Sequence, residues 1–340
     1  MPSYDLEMAL DDYLASEIVL DCGDGLFSRR EGLRRLMLLG LSAPAAAAML
    51  AACGSDDEAE PATSVGTSAT TGGTSAPVAT TPVATTPVTA AGTTPTTNPT
   101  DASAAPSPTA GSAPATEDIT FPGPQGDVIG VLSTAADPKG AVLVIHENRG
   151  LTPHIRSIPP RLAADGYTAL AIDLLSEEGG TASMASDGDA TAALGNAPAE
   201  RMIADLRAGL DELAKRAPGV KLAVIGFCFG GGMTWQLLDA GEPRLSAAVP
   251  FYGPAPADPD FSGSPNAAVL GIYAELDSRV NASQDTARTA LETAGLVHEI
   301  KVYPGVDHAF FNDTGARYNE EQATQAYQDM LAWFGQHLST

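Results

Sequence analysis

Lysine is nearly missing from this 340-residue chain, which has only Lys139, Lys215, Lys221 and Lys301 and a formal net charge of −24. Over residues 118–340 there are 28 acidic and 14 basic side chains, spread along the sequence rather than segregated. No basic face for tracking a phosphate backbone can be built from that balance, which argues against nucleic-acid binding as the main task. Cysteine is scarce as well: only Cys22, Cys53 and Cys228 are present, so a disulfide framework is excluded. The five histidines show no metal-ligand spacing, and His146-Glu147 lacks the second histidine of a zinc-protease helix. Aromatic and basic residues are absent throughout 54–117, a Thr/Ala/Pro/Ser-rich stretch. Such a tract buries too little apolar surface to offset its ordering entropy, so it is expected to be a disordered tether open to O-glycosylation. Long apolar runs are missing too. The best candidate, residues 36–52, has 17 residues and sits near the lower limit for crossing a bilayer.

What is present divides into three parts: 1–53, the tether 54–117, and one globular domain, 118–340, long enough for a substantial core. The first part carries an address. Ser28-Arg29-Arg30-Glu31-Gly32-Leu33-Arg34-Arg35 precedes the uncharged stretch that ends in Leu50-Ala51-Ala52-Cys53. A basic region, an apolar region and small residues before a cleavage point are the parts of an export signal rather than of a core helix. The paired arginines resemble a twin-arginine signal, and Leu-Ala-Ala-Cys resembles a lipobox, in which Cys53 would be lipidated. The expectation is an exported, extracytoplasmic domain tethered to the membrane through Cys53; an uncleaved anchor is the alternative. Residues 1–27 hold seven acids and no base, with apolar residues at Leu6, Met8, Leu10, Tyr13 and Leu14. They read either as a short amphipathic helix ahead of the signal or as a stretch upstream of the true start. With Cys53 lipidated and Cys22 removed, Cys228 is the one thiol of the mature domain.

Across 118–340 the pattern alternates strand and helix. Strands are expected at 128–132, 141–146, 167–172, 222–225, 245–251, 268–273 and 297–303, and helices at 154–165, 199–216, just after 228, 282–294 and 320–337. Apolar strands in β-α-β order predict an α/β fold with a doubly wound, mostly parallel sheet and a single catalytic domain. The strand at 222–225 runs into Gly226-Phe227-Cys228-Phe229-Gly230. A G-x-nucleophile-x-G turn lifts one side chain above a strand end, here with cysteine as the nucleophile. Glu147, Asp277 and His308 follow three other strands, and the order nucleophile, acid, histidine is that of the α/β-hydrolase fold. The segment 174–196, rich in small and polar residues, is expected to be a loop on the pocket rim.

These motifs together resemble the dienelactone hydrolase (carboxymethylenebutenolidase) family of cysteine α/β-hydrolases. The resemblance runs from Ile145-His146-Glu147-Asn148-Arg149-Gly150 through Arg161-Leu162-Ala163-Ala164-Asp165-Gly166-Tyr167, the elbow, Pro250-Phe251-Tyr252-Gly253-Pro254 and Tyr273-Ala274-Glu275-Leu276-Asp277 to Tyr303-Pro304-Gly305-Val306-Asp307-His308. It implies a Cys228–His308–Asp277 triad that hydrolyses an ester or lactone through a thioester, without cofactor or metal. The backbone N–H groups of Phe229 and Asn148 would hold the oxyanion. Glu147 would be a fourth member, holding the thiol neutral until substrate arrives. One departure bears on the substrate. Four residues after the histidine the family has an arginine that grips a substrate carboxylate, whereas this chain has Asn312, which removes the argument for dienelactone itself. Candidate substrate contacts are Arg149, Tyr252, Arg279 and Asn312. A thioesterase or broad carboxylesterase fits the same triad, and a surface-exposed binding lipoprotein is the reading from a different class.

Overall fold

The computed structural model describes residues 3–52 and 115–338, with side chains from residue 12 onward in the first segment. Cys53 and nearly all of the tether assigned to 54–117 lie outside the described residues. Three helices open the chain: α1 (Ser3–Gly23), α2 (Arg29–Leu38) and α3 (Ala43–Met49). The rest of the described chain runs β1 (Thr116–Pro122), β2 (Asp127–Ser133), β3 (Gly140–Ile145), α4 (Pro153–Ala164), β4 (Tyr167–Ile172), α5 (Asp187–Gly195), α6 (Ala199–Arg216), β5 (Leu222–Phe227), α7 (Phe229–Asp239), β6 (Leu245–Phe251), β7 (Ala268–Ala274), α8 (Ser278–Asn281), α9 (Gln284–Thr293), β8 (His298–Tyr303) and α10 (Glu320–His337).

The strands form one eight-stranded sheet in the order β1-β2-β4-β3-β5-β6-β7-β8. β1–β2 and β2–β4 are antiparallel pairs, and every pairing from β4 through β8 is parallel. Every residue of β3, β4 and β5 is buried, as strands covered by helices on both faces must be. Each fully buried Val, Leu or Ile there contributes about 1.5–3 kcal/mol of transfer free energy, so the centre of the sheet is its most strongly fixed part. That rigidity serves the site, because the loops after β3, β5, β7 and β8 carry Glu147, Cys228, Asp277 and His308.

The mostly parallel sheet matches the expectation from sequence. β1 was not expected; it starts at Thr116, so two residues assigned to the tether are strand. Its alternation, with Ile119 and Phe121 buried between exposed neighbours, is that of an edge strand. The expected helix at 282–294 is α9, and the short α8 before it was not expected; Asp277 caps α8 by accepting a bond from the Val280 N–H at 3.1 Å. The segment 174–196 is not all loop. Ser186 accepts from the Asp189 N–H and starts α5, with Asp187 and Asp189 favourably placed in its first turn. His154 does not cap α4, a job done by Thr152; its Nδ1 sits 2.7 Å from Asp313 Oδ1.

Residues 36–52 were expected not to form core helices. In the folded chain they break at Gly40, whose φ of 90° ends α2, and continue as α3 and a short 3-10 turn. Leu36, Leu39, Ala46 and Leu50 are buried, and α2 packs on α1 and α5. No helix among the described residues is long and apolar enough to cross a membrane.

The elbow depends on glycine. A Cβ placed on Gly226 would lie 1.9 Å from the Gly230 carbonyl oxygen, a backbone atom that cannot swing aside. Gly226→Ala is therefore expected to lower the unfolding free energy by about 4 kcal/mol or more, beyond the usual range for a single substitution. Urea denaturation followed by circular dichroism measures it, and a midpoint unchanged from the native chain would contradict this packing.

Candidate active site

Cys228 sits between β5 and α7 with φ of 56°, a strained value for a side-chain-bearing residue, held by its N–H bond to the Phe251 carbonyl at 3.1 Å. The strain turns the thiol over the end of the sheet. Phe229 opens α7, where the amides of the first turn have no partner within the helix. Beneath the elbow Phe227, Phe251 and Phe311 stack at 4.7–5.3 Å, a firm apolar floor.

His308 and Asp277 meet as expected: His308 Nδ1 is 2.6 Å from Asp277 Oδ2, both buried. Burial opposes the negative charge on Asp277, but the bond to His308, the charges of His308 and Arg279 and the Val280 N–H together outweigh it and hold the carboxyl below its ordinary range. Burial would likewise lower His308, yet Glu17, Cys228 and Asp277 together push the imidazole well above its usual value. The sulfur of Cys228, an imidazole nitrogen of His308 and a carboxylate oxygen of Glu17 all lie within 4.8 Å of one another. Burial raises the thiol and Glu17 raises it further, with His308 working the other way and Glu147 adding to the rise.

Glu147 follows β3 and is buried, and burial is the main reason its carboxyl is raised. His146 fixes this loop. Its Nε2 accepts from the Leu174 N–H at 3.1 Å, so Nδ1 carries the proton and donates to the Glu147 carbonyl at 2.6 Å. The Asn312 side chain, expected as a substrate contact, instead donates to Glu147 Oε2 at 2.7 Å. In this chain Asn312 orients the carboxylate. Glu147 was expected to hold the thiol directly; the groups in contact with the sulfur are Tyr13, at 3.2 Å from its hydroxyl, and Glu17, at 3.9 Å. Tyr252 lies with its ring 5.1 Å from that of His308, and its buried hydroxyl has no hydrogen-bond partner among the described residues.

Arg149 borders the cavity, and both it and Arg279 pair with α1, Arg149 also with Asp187 of α5 at 3.5 Å. Arg279 is in contact with Glu17 and reaches Ser16 Oγ at 3.2 Å, while Arg149 bonds Asp21 at 3.1 Å. Reading the sequence missed Tyr13, Glu17 and Arg317, which also belong to the site. The signal available was the run of seven acids without a base in residues 1–27. It announces a surface seeking arginines, without saying which ones.

Residues 128–338 match the profile of the Dienelactone hydrolase family. The chain is 36% identical over 212 residues to a protein of Escherichia coli O157:H7 provisionally named carboxymethylenebutenolidase, a match covering 59% of this chain and 78% of that one. A protein of Saccharolobus solfataricus with the same provisional name is 31% identical over 231 residues, covering 58% of this chain and 89% of its own. Among solved structures, that of a provisionally named dienelactone hydrolase from Klebsiella pneumoniae superposes with a TM-score of 0.58 at 32% identity, over 65% of this chain and 98% of the other.

Proposed function

We propose that this chain, which belongs to the dienelactone hydrolase family and so is a hydrolase of ester or lactone bonds, works through a thioester formed on Cys228. The observation that carries the reading is the convergence of a strained, buried Cys228, after β5, with the His308–Asp277 pair, after β8 and β7. A free thiol near pKa ~8.5 is mostly protonated at neutral pH, and here burial raises it, so a base must take its proton as it attacks. With Asp277 holding the proton of Nδ1, His308 Nε2 is the atom free to do so.

The sulfur adds to the substrate carbonyl carbon, and the oxygen becomes an oxyanion facing the amides of Phe229 and Asn148. Each such donor is worth roughly 3 kcal/mol of barrier. Collapse of the adduct breaks the C–O bond; the alkoxide takes the proton from the imidazolium and leaves as alcohol, or stays attached if the substrate is a lactone. His308 next deprotonates water, which attacks the thioester, and the sulfur departs to regain its proton. Burial chiefly favours the neutral thiol between turnovers, and Glu147, steadied by Asn312, adds to it. No step calls for a cofactor. A thioester substrate would follow the same path, so a thioesterase or broad carboxylesterase remains inside this mechanism.

The test is a panel of p-nitrophenyl esters, lactones and acyl thioesters with acid quenching and mass spectrometry of the peptide containing Cys228. The expected result is hydrolysis of at least one class with the acyl mass on that peptide. An acyl mass elsewhere would overturn the mechanism, and inertness to every class once the thiol is accessible would favour the surface-binding lipoprotein.

The same proposal includes location. The Arg29–Arg35 region and the Leu-Ala-Ala-Cys sequence support export with lipid attachment at Cys53. Cells fed radiolabelled fatty acid are expected to incorporate it at Cys53; a mature form without lipid would refute the anchor.

A further inference from the structure

We infer that α1 from residue 12 onward, with Asp24 just past its end, is an internal plug of the active site, an acidic segment seated in an arginine-lined cleft that keeps the nucleophile latent until it leaves. The inference rests on the reading of Cys228 as nucleophile.

Tyr13, Glu17, Asp21 and Asp24 recur at intervals of four, four and three residues, which puts them on one face of a helix. That whole face is engaged. Tyr13 touches the sulfur and also lies under the Arg279 guanidinium, 4.6 Å from ring centre to Cζ. Glu17 Oε1 is 3.3 Å from His308 Nε2 and in contact with Arg279, while its other oxygen faces the thiol. Asp21 bonds Arg149 at 3.1 Å and Arg317 at 3.0 Å, and Arg317 Nε bonds Asp24 at 2.7 Å. Beside the charges, Leu14, Ala15, Ile18 and Cys22 are buried.

Three arginines meeting three carboxylates is a specific match in this protein. The chain has 18 basic residues in all, whereas residues 1–27 have none and hold seven acids. The segment is the chemical complement of the cleft mouth.

Its position is incompatible with catalysis. An ester carbonyl must come within roughly 3–3.5 Å of the sulfur for attack. The Tyr13 hydroxyl occupies that distance, and Glu17 stands against the nitrogen that has to accept the thiol proton. The bound helix leaves a cavity of about 580 Å³ that Cys228 and His308 also border, beside Glu147, Arg149, Asn312 and Arg317. Although the thiol borders it, Cys228 is only 3% exposed, with the Tyr13 hydroxyl and Glu17 against the sulfur. The carboxylate of Glu17 also raises both the thiol and the imidazole, so it discourages the thiolate as well as covering it.

The order of the chain supplies a release. All of α1, α2 and α3 precede Cys53, so the cleavage proposed there would sever plug from domain in one event. The precursor would be latent and the processed form open.

The experiment compares the full-length chain with the full-length variant Glu17→Ala/Asp21→Ala/Asp24→Ala and, independently, with Arg317→Glu, which weakens docking from the cleft side. Iodoacetamide labelling of Cys228, read by mass spectrometry of its peptide, reports access without requiring turnover; a melting curve of each variant confirms folding. Loss of the Glu17 pairs with Arg279 and His308, the Asp21 pairs with Arg149 and Arg317, and the Asp24 pair with Arg317 predicts labelling at least about tenfold faster in the triple variant, and a smaller rise in the same direction in Arg317→Glu. Added salt should speed labelling of the native chain by screening the same pairs. Equal labelling rates in folded native and variant chains would overturn the plug. Faster labelling in variants that hydrolyse no ester, lactone or thioester would uphold the plug and reject the esterase reading. Hydrolysis with equal labelling rates would do the reverse.

Discussion

Cys228→Ala is expected to lower kcat/KM by about 10⁴-fold or more on any ester the native chain cleaves, because no other group among the described residues is placed to form the acyl intermediate. The residual rate would come from the oxyanion amides and from binding alone. The substitution removes one sulfur from a buried site and keeps the Cβ that defines the elbow, so folding should survive, and a melting curve checks that point. Activity retained within tenfold of native would mean that the bond is cut by another residue and that the convergence at the strand ends has a different meaning. The pH profile carries the same signature with a definite sign. Burial and Glu147 raise the thiol, while His308 lowers it. Activity of the open site should thus decline as pH falls, over a range above that of a solvent-exposed cysteine. With α1 docked Glu17 raises the thiol further, so Glu17→Gln should move the pH limb of iodoacetamide labelling of Cys228 in the full-length chain to lower pH.

Asp277→Asn is expected to reduce kcat by about 10⁴-fold with little change in KM. The carboxylate accepts the Nδ1 proton of His308 at 2.6 Å and, with its other oxygen, the N–H of Val280. An asparagine keeps the second bond if its carbonyl turns to Val280. Its amide then faces Nδ1 as a donor, so the imidazole proton moves to Nε2 and can no longer receive one from the thiol. Stopped-flow acylation read against steady-state turnover separates this loss from a binding defect. Stability has its own pH dependence here. The Asp277 carboxyl is depressed in the folded chain, so its contribution is present above the unfolded value of about 3.9 and disappears as pH falls through the folded one. The melting difference between native and Asp277→Asn chains should shrink on acidification in that window.

The catalytic half of the molecule could be read from sequence because its signals are local. β3, β4 and β5 are short apolar runs whose flanking glycines and charges bound them, and Gly226 and Gly230 mark a turn that only small residues permit. Helix α5 had legible capping at Ser186, but the surrounding glycines and alanines concealed it. β1 was hidden for another reason: an edge strand next to a polar tract shows only Ile119 and Phe121 as inward residues. What could not be read was partnership across distance. Asn312 was assigned by position to substrate, and only the fold places it on Glu147, 165 residues earlier in the chain. Tyr13 and Glu17 stand more than 200 residues from the thiol they touch, and no periodicity in either segment encodes that meeting.

The seating of α1 also changes how concentration enters the behaviour of this enzyme. While the helix belongs to the same chain its docking is intramolecular, and the local concentration of a segment so joined is of the order of millimolar whatever the dilution of the protein. Even a helix whose free form bound with a dissociation constant near ~0.1 mM would then cover the cleft most of the time. Cutting one peptide bond alters none of the contacts to Arg149, Arg279 or Arg317, yet it turns the helix into an ordinary solute. At micromolar enzyme the same contacts no longer hold it, and the site opens by dilution rather than by any rearrangement of the domain.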